Sequence, residues 1–182
     1  VEYFKQGLQN INTISVREKT AVGVVKAITG QDAIAVADPT MLLDAHEWSK
    51  VLNDSMVPKE KYILLYVLKE SPYITETALR IAKEKRLKVV RICRGAYRQD
   101  PKNSPIQNIM DAGPAEYLAL FKNATMVMTN SFHGTVFSIQ FNKDFYTIVS
   151  RSANNNSRQI DLLSTLGIDR IKYTDTTFSE ES

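Results

Sequence analysis

At 182 residues, 43% hydrophobic and 24% charged, the chain has room for one full-sized core and the composition of an ordinary soluble globular protein. Lys and Arg exceed Asp and Glu by 23 to 20 with no long block of like charge, which excludes the electrostatic footprint of a nucleic-acid binder. The single cysteine, Cys93, excludes an internal disulfide framework. No apolar run reaches the ~20 residues that span a bilayer and no signal-peptide pattern opens the chain, so a cytoplasmic, non-spanning protein is expected.

Residues 1–12 read as a linker or the remnant of a preceding segment. The chain opens on Val1 rather than Met and enters a strand within about a dozen residues, as expected of a domain excised from a longer protein. Residues 13–17 form the first predicted strand. The helix after it carries Ala21, Val24, Val25 and Ile28 at helical spacing, and Gly30 is placed to end it. Residues 33–37 are a second strand, broken by Asp38-Pro39-Thr40. Asp44 then offers an N-cap with Glu47 three residues on, ahead of a helix with Ala45, Trp48, Val51 and Leu52 inward.

Residues 62–68 (YILLYVL) are almost continuously apolar, the pattern of a central parallel strand covered on both faces. A helix over 74–85 buries Ile74, Ala78, Ile81 and Ala82 and feeds a strand over 88–93. Residues 95–108 are polar, aperiodic and hold two prolines, which predicts a long loop. Gly113-Pro114-Ala115-Glu116 is a strong helix start. A compact block follows: a strand over 125–129, the turn Asn130-Ser131, a short helix over 134–141 and a strand over 145–149. The last helix spans 157–166 with Gly167 as its stop, residues 170–173 add an edge strand, and a polar tail occupies 175–182. Strands alternating with helices predict a Rossmann-like, doubly wound, mainly parallel α/β sheet over 13–174.

In such sheets ligands bind at the C-terminal ends of the strands, where a helix N-terminus offers unpaired N–H groups to an anion. The segment Thr129-Asn130-Ser131-Phe132-His133-Gly134-Thr135 leaves a strand and enters a helix there, so its amides and the hydroxyls of Ser131 and Thr135 are candidates to cradle a phosphate. His133 titrates near neutrality and suits a general acid or phosphate partner, or else a helix cap or carbonyl donor. Arg17 closes the first strand, where its guanidinium either grips a phosphate or carboxylate bidentately or is a solvated charge. Arg158, opening the last helix, points back toward the same edge or forms a surface ion pair. Asp38 meets a ligand, holds a cationic side chain, or simply makes the turn. Glu116 bonds a ligand hydroxyl or complements its helix dipole. His46, beside Trp48, reads as structural. No clustered metal ligands occur and no metal or cofactor is expected; the lack of a GxGxxG, a GxxxxGK[ST] and a GxSxG motif argues against dinucleotide dehydrogenases, P-loop NTPases and α/β-hydrolases.

The segments Ile14-Ser15-Val16-Arg17-Glu18, Asp38-Pro39-Thr40, Gly113-Pro114-Ala115-Glu116-Tyr117, Thr129-Asn130-Ser131-Phe132-His133-Gly134-Thr135 with Phe137-Ser138, and Asn156-Ser157-Arg158 leading to Asp161-Leu162-Leu163 resemble the polysaccharide pyruvyl transferase family, in that family's order, over about residues 12–170. The resemblance implies the C-terminal, donor-binding half of a GT-B-like enzyme of polysaccharide or exopolysaccharide biosynthesis, with a missing N-terminal domain completing the acceptor side and the fragment inactive alone. It implies transfer of a pyruvyl unit from phosphoenolpyruvate to the hydroxyls of a glycan acceptor. His133 would be the catalytic acid or phosphate partner, with Arg17 and Arg158 neutralising the donor and Ser131, Phe132, Gly134, Thr135 and Glu116 completing its site. An apolar surface is then expected near the cleft edge or the first helix, where the missing domain docks. Two other readings stand beside it: a GT-B nucleotide-sugar glycosyltransferase or epimerase-like domain, and a non-catalytic binding module.

Overall fold

The computed structural model describes residues 2–69, 71–93, 104–150 and 156–173. Its core is a six-stranded, wholly parallel sheet grown outward from the apolar segment YILLY, which forms strand β3 (Tyr62–Tyr66). Two shorter strands precede it, β1 (Ile14–Val16) and β2 (Ala33–Ala35). Then come β4 (Lys88–Ile92), β5 (Ile106–Ile109), β6 (Met126–Thr129), β7 (Asp144–Val149) and β8 (Ile171–Tyr173). Spatial order is β5-β4-β3-β6-β7-β8, so β3 and β6 stand side by side while their connections run in opposite directions. That is a topological switch point, the place where an open α/β sheet leaves a crevice at its C-terminal edge.

The alternation of β3 divides the core in two. Ile63 and Leu65 face α4 (Pro72–Lys85) through Ile74, Ala78 and Ile81. Tyr62 and Leu64 face α5 (Pro114–Asn123), α6 (Phe132–Gln140) and α7 (Ser157–Leu166) through Leu118, Phe121, Phe137 and Leu163. All four of these β3 residues are buried, as a strand covered on both faces requires. Tyr62 keeps its hydroxyl satisfied by donating to the Leu120 carbonyl. Burial of that ring and the nearby Asp54 carboxylate push its phenol well above the usual range.

The structure adds detail that the sequence pattern did not show. The strand predicted at residues 13–17 does not join the main sheet: β1 pairs in parallel with β2, and the two form a sheet of their own with α2 (Lys19–Thr29) as the crossover. Alternation alone cannot tell which sheet a strand joins, because three-residue strands carry too little pattern. The loop predicted over 95–108 overlaps strand β5, whose polar Gln107 and Asn108 hid it; its two buried apolar residues sit at its ends and face opposite sides of the sheet, Ile106 in the α4 core and Ile109 in the α5 core. The residues read as a linker include α1 (Glu2–Gln9), a helix with no buried residue. The helix after Asp44 is also shorter than its pattern, α3 (Ala45–Ser49), and leaves Val51 exposed. The tail at 175–182 and the part of the predicted loop over 95–103 lie outside the described residues.

Local signals fare better. Gly30 and Gly167 end α2 and α7 in the left-handed region at φ 75° and 66°, the conformation glycine adopts without strain. The Asp44 carboxylate accepts from the Glu47 amide as its spacing predicts.

The small sheet leaves apolar surface uncovered. Phe4, Leu8 and Ile11 from the first helix and its turn, with Ile14, Val24 and Ile28, line an open groove of about 650 Å³. Ile34 on β2 is 61% exposed and Val24 on α2 56%.

Candidate functional site: a buried carboxylate between two sheets

The turn after β6 lies at the switch point and is knotted to β3. The side chain of Asn130 accepts from the Leu68 amide at 2.7 Å and donates to the Lys69 carbonyl at 2.8 Å. Thr129 donates its hydroxyl to the Tyr66 carbonyl at 2.6 Å and accepts from the Ser131 amide at 3.0 Å. Ser131 caps α6 by accepting from the Gly134 amide, and Thr135 is held between the Ser131 carbonyl and the Thr147 hydroxyl at 2.7 Å.

These contacts redistribute the roles expected for the turn. The hydroxyls of Ser131 and Thr135, both buried, are used inside the fold, so they build the turn rather than face a ligand. Gly134 is small because of its neighbour: a Cβ there would stand 2.3 Å from the Thr129 hydroxyl oxygen. Glu116 accepts from the Asn53 side chain at 2.6 Å at the start of α5 and is not among the residues lining the cleft described next.

His133, Phe132, Arg17 and Arg158 converge, although they come from α6, the end of β1 and the start of α7. Asp38, in the turn that follows β2, is the meeting point of Arg17, Arg158 and His133 and is only 3% exposed. Its Oδ2 lies 2.5 Å from Arg17 Nη1, 3.5 Å from Arg158 Nη2 and 3.8 Å from His133 Nε2. Its Oδ1 accepts from the amide and hydroxyl of Thr40 at 3.0 and 2.7 Å. Arg158 is fixed on two further sides, by an ion pair with Glu18 at 2.9 Å and by the Phe132 ring, 4.0 Å below its guanidinium carbon. The Thr40 carbonyl accepts from Trp48 Nε1 and Gln140 Nε2, which ties the Asp38 turn to α3 and α6.

A cleft of about 320 Å³ opens beside this cluster, lined by Val36, Met41, Phe132 and Leu162 and by the charged Arg17, Glu18, Lys19, Asp38, Arg158 and Asp161; His133 reaches Asp38 but is not among the lining residues. Burial would raise the Asp38 carboxyl, but the Thr40 hydroxyl and amide together with Arg17 outweigh it and hold the group below its usual range. His133 is 43% exposed. Partial burial lowers its pKa below the ordinary 6.5; Asp38 pulls the other way, and Arg158 and Arg17 add to the lowering. The imidazole is therefore mostly neutral at about pH 7.

Sequence reasoning named every cation of this cluster but left Asp38 open between ligand contact, ion pair and turn. The missing signal was tertiary: only the fold brings two guanidinium groups and an imidazole, from β1, α7 and α6, to one carboxylate. Glu18 and Thr40 also escaped, although both sit inside segments the resemblance singled out.

A family model described as polysaccharide pyruvyl transferase matches residues 1–152. The chain belongs to that family. The match takes in Arg17, Asp38 and His133, but it stops short of Arg158, whereas the sequence resemblance ran on to about residue 170. No curated protein sequence matches. Among solved structures, UDP-GlcNAc 2-epimerase of Methanocaldococcus jannaschii with UDP-GlcNAc and UDP is 14% identical over 70% of this chain and 36% of its own, at a TM-score of 0.45. The glycotransferase of kitacinnamycin is 16% identical over 69% and 34%, at 0.48. The pyruvyl transferase family chain thus spans about a third of the length of those proteins. Among the described residues no helix is long and apolar enough to cross a membrane.

Proposed function

We propose that the cleft beside Asp38 is the donor site of a polysaccharide pyruvyl transferase that takes the pyruvyl unit from phosphoenolpyruvate and places it on hydroxyls of a glycan. The observation that carries this reading is the convergence of Arg17, Arg158 and His133, far apart in sequence, on one carboxylate beside an open cleft. Each guanidinium has five N–H donors, so the pairings with Asp38 and Glu18 leave others for a phosphate and a carboxylate. His133 acts as general acid. A proton added to the donor's methylene carbon makes the adjacent carbon oxocarbenium-like and open to attack by a sugar hydroxyl; a second hydroxyl then displaces phosphate and closes a cyclic ketal.

A neutral imidazole needs a proton before it can serve as that acid, and the donor supplies the reason for one to bind. A phosphate beside His133 favours the charged ring and raises a pKa that burial and the arginines hold down. Binding of phosphoenolpyruvate to the full-length protein at about pH 7 is therefore accompanied by net proton uptake. Calorimetry in buffers of different ionisation enthalpy measures it. The uptake disappears in His133→Asn, and a UDP-sugar that binds more tightly than phosphoenolpyruvate would refute the donor assignment.

The same reading makes the chain the C-terminal part of a larger cytoplasmic enzyme whose preceding segment covers the groove of the small sheet. What supports it is the exposed apolar surface of Phe4, Val24 and Ile34, beyond what an isolated βαβ unit normally leaves in water. Val24→Asp is expected to disturb a protein carrying that segment, seen as a loss of several degrees in Tm, while leaving the 182-residue chain on its own unchanged. Equal tolerance in both would remove the docking role from the groove.

A further inference from the structure

The roles proposed for His133 and the two arginines conflict unless something separates their charges, because two guanidinium groups close to an imidazole oppose its protonation. We propose that Asp38 is the positioning residue of this site: one buried carboxylate that fixes both guanidinium groups and stands within 3.8 Å of the His133 ring, so that the cations grip an anion while the carboxylate offsets part of their opposition to protonation of the ring. This rests on the donor-site reading and adds a residue to it.

The geometry suits such a role better than that of a plain turn residue. A turn needs only the Oδ1 contacts with the Thr40 amide and hydroxyl. Those leave Oδ2 over, and Oδ2 is the atom that Arg17, Arg158 and His133 approach from β1, α7 and α6. A buried charge is tolerated only when paired, and here the compensation comes from three elements at once. The charged groups around His133 are Asp38, Arg158 and Arg17, with Glu18 facing Arg158 from the far side. Asp38 is the member whose field favours the imidazolium, while Arg158 and Arg17 oppose it. Removing its charge and keeping its shape isolates that effect.

The variant is Asp38→Asn in the full-length protein, which retains an acceptor for Thr40. The His133 imidazole is followed by NMR titration, its resonance assigned as the one absent from His133→Asn. Its pKa is expected to fall further in Asp38→Asn, and the alkaline limb of the kcat profile with phosphoenolpyruvate to move to lower pH in parallel. Both guanidinium groups remain but lose the charge that fixes them, so KM for phosphoenolpyruvate rises as well; the movement of the pH limb is the part that loss of anchoring alone does not produce. A folded Asp38→Asn protein with an unchanged His133 titration overturns the proposal. So does a variant that loses donor affinity and turnover together with no movement of the pH limb, since that is the signature of a merely structural residue. Should Asp38→Asn fail to fold, a double-mutant cycle of Arg17→Gln and Arg158→Gln in thermal unfolding puts the same question: partners of one carboxylate show non-additive effects, and strict additivity rejects the hub. The NMR arm involves no donor, so its failure is distinct from that of the donor-site reading, which falls if His133 and Arg17 variants turn over and bind phosphoenolpyruvate normally.

Discussion

Substitution of His133 by alanine in the full-length protein lowers turnover by about a hundredfold or more, the usual contribution of a positioned general acid. Donor affinity falls much less, because Arg17 and Arg158 stay where Asp38 and the Phe132 ring hold them. Arg17→Ala gives the opposite division: it removes a charge-assisted contact to the donor and weakens binding by about tenfold or more, with a smaller effect on the chemical step. Steady-state kinetics with phosphoenolpyruvate and a glycan acceptor, together with donor calorimetry, separate the two. A His133→Ala protein with near wild-type turnover makes the imidazole structural. Normal donor binding in both variants moves the donor site elsewhere.

The second large effect concerns stability. Gly134→Ala places a methyl group 2.3 Å from the Thr129 hydroxyl oxygen and 3.1 Å from its methyl carbon. Thr129 has nowhere to go: it is buried, its β-branched side chain has few rotamers, and its hydroxyl bonds both the Tyr66 carbonyl and the Ser131 amide. Alanine is intrinsically better than glycine inside a helix by about 0.5–1 kcal/mol, but overpacking of this kind costs about 1–3 kcal/mol and a lost hydrogen bond adds to it. The net expectation is a loss of about 2 kcal/mol, or about 4–8 °C in Tm for a domain of this size. Adding Thr129→Ala removes the two outer atoms of the clash and recovers part of the loss. Unchanged melting in the single variant would show that the turn has more room than its contacts allow.

The sequence made the main sheet legible wherever one segment held enough pattern to speak for itself. YILLY could only be a strand covered on both faces, and α4 announced itself through Ile74, Ala78 and Ile81. The turn between β6 and α6 was legible as a strand end meeting a helix start. What it does was only half legible, because whether a hydroxyl faces a ligand or a neighbouring strand depends on who the neighbour is. Thr135 meets Thr147 across the β6–β7 unit, and Gly134 meets Thr129, contacts that exist only after folding. Strand β5 was missed because an edge strand shows apolar residues at just two positions. Asp38 was seen but not weighed, since a carboxylate in an Asp-Pro turn has a sufficient local reason to be there; its second oxygen gained its partners from β1, α6 and α7.

The strand order also bears on how the chain assembles as it leaves the ribosome. Once β3 has emerged, β4 adds beside it, β5 beside β4, β6 on the other flank of β3, β7 beside β6 and β8 beside β7. Every newcomer finds its neighbour already synthesised, and none has to be inserted between two strands that have already paired. The six-stranded sheet can accordingly grow during translation from its centre toward both rims, exposing one unpaired edge on each side at any moment. Arg158 on α7 is the last member of the Asp38 cluster to be made, so the cluster is complete only when nearly the whole described chain has been translated.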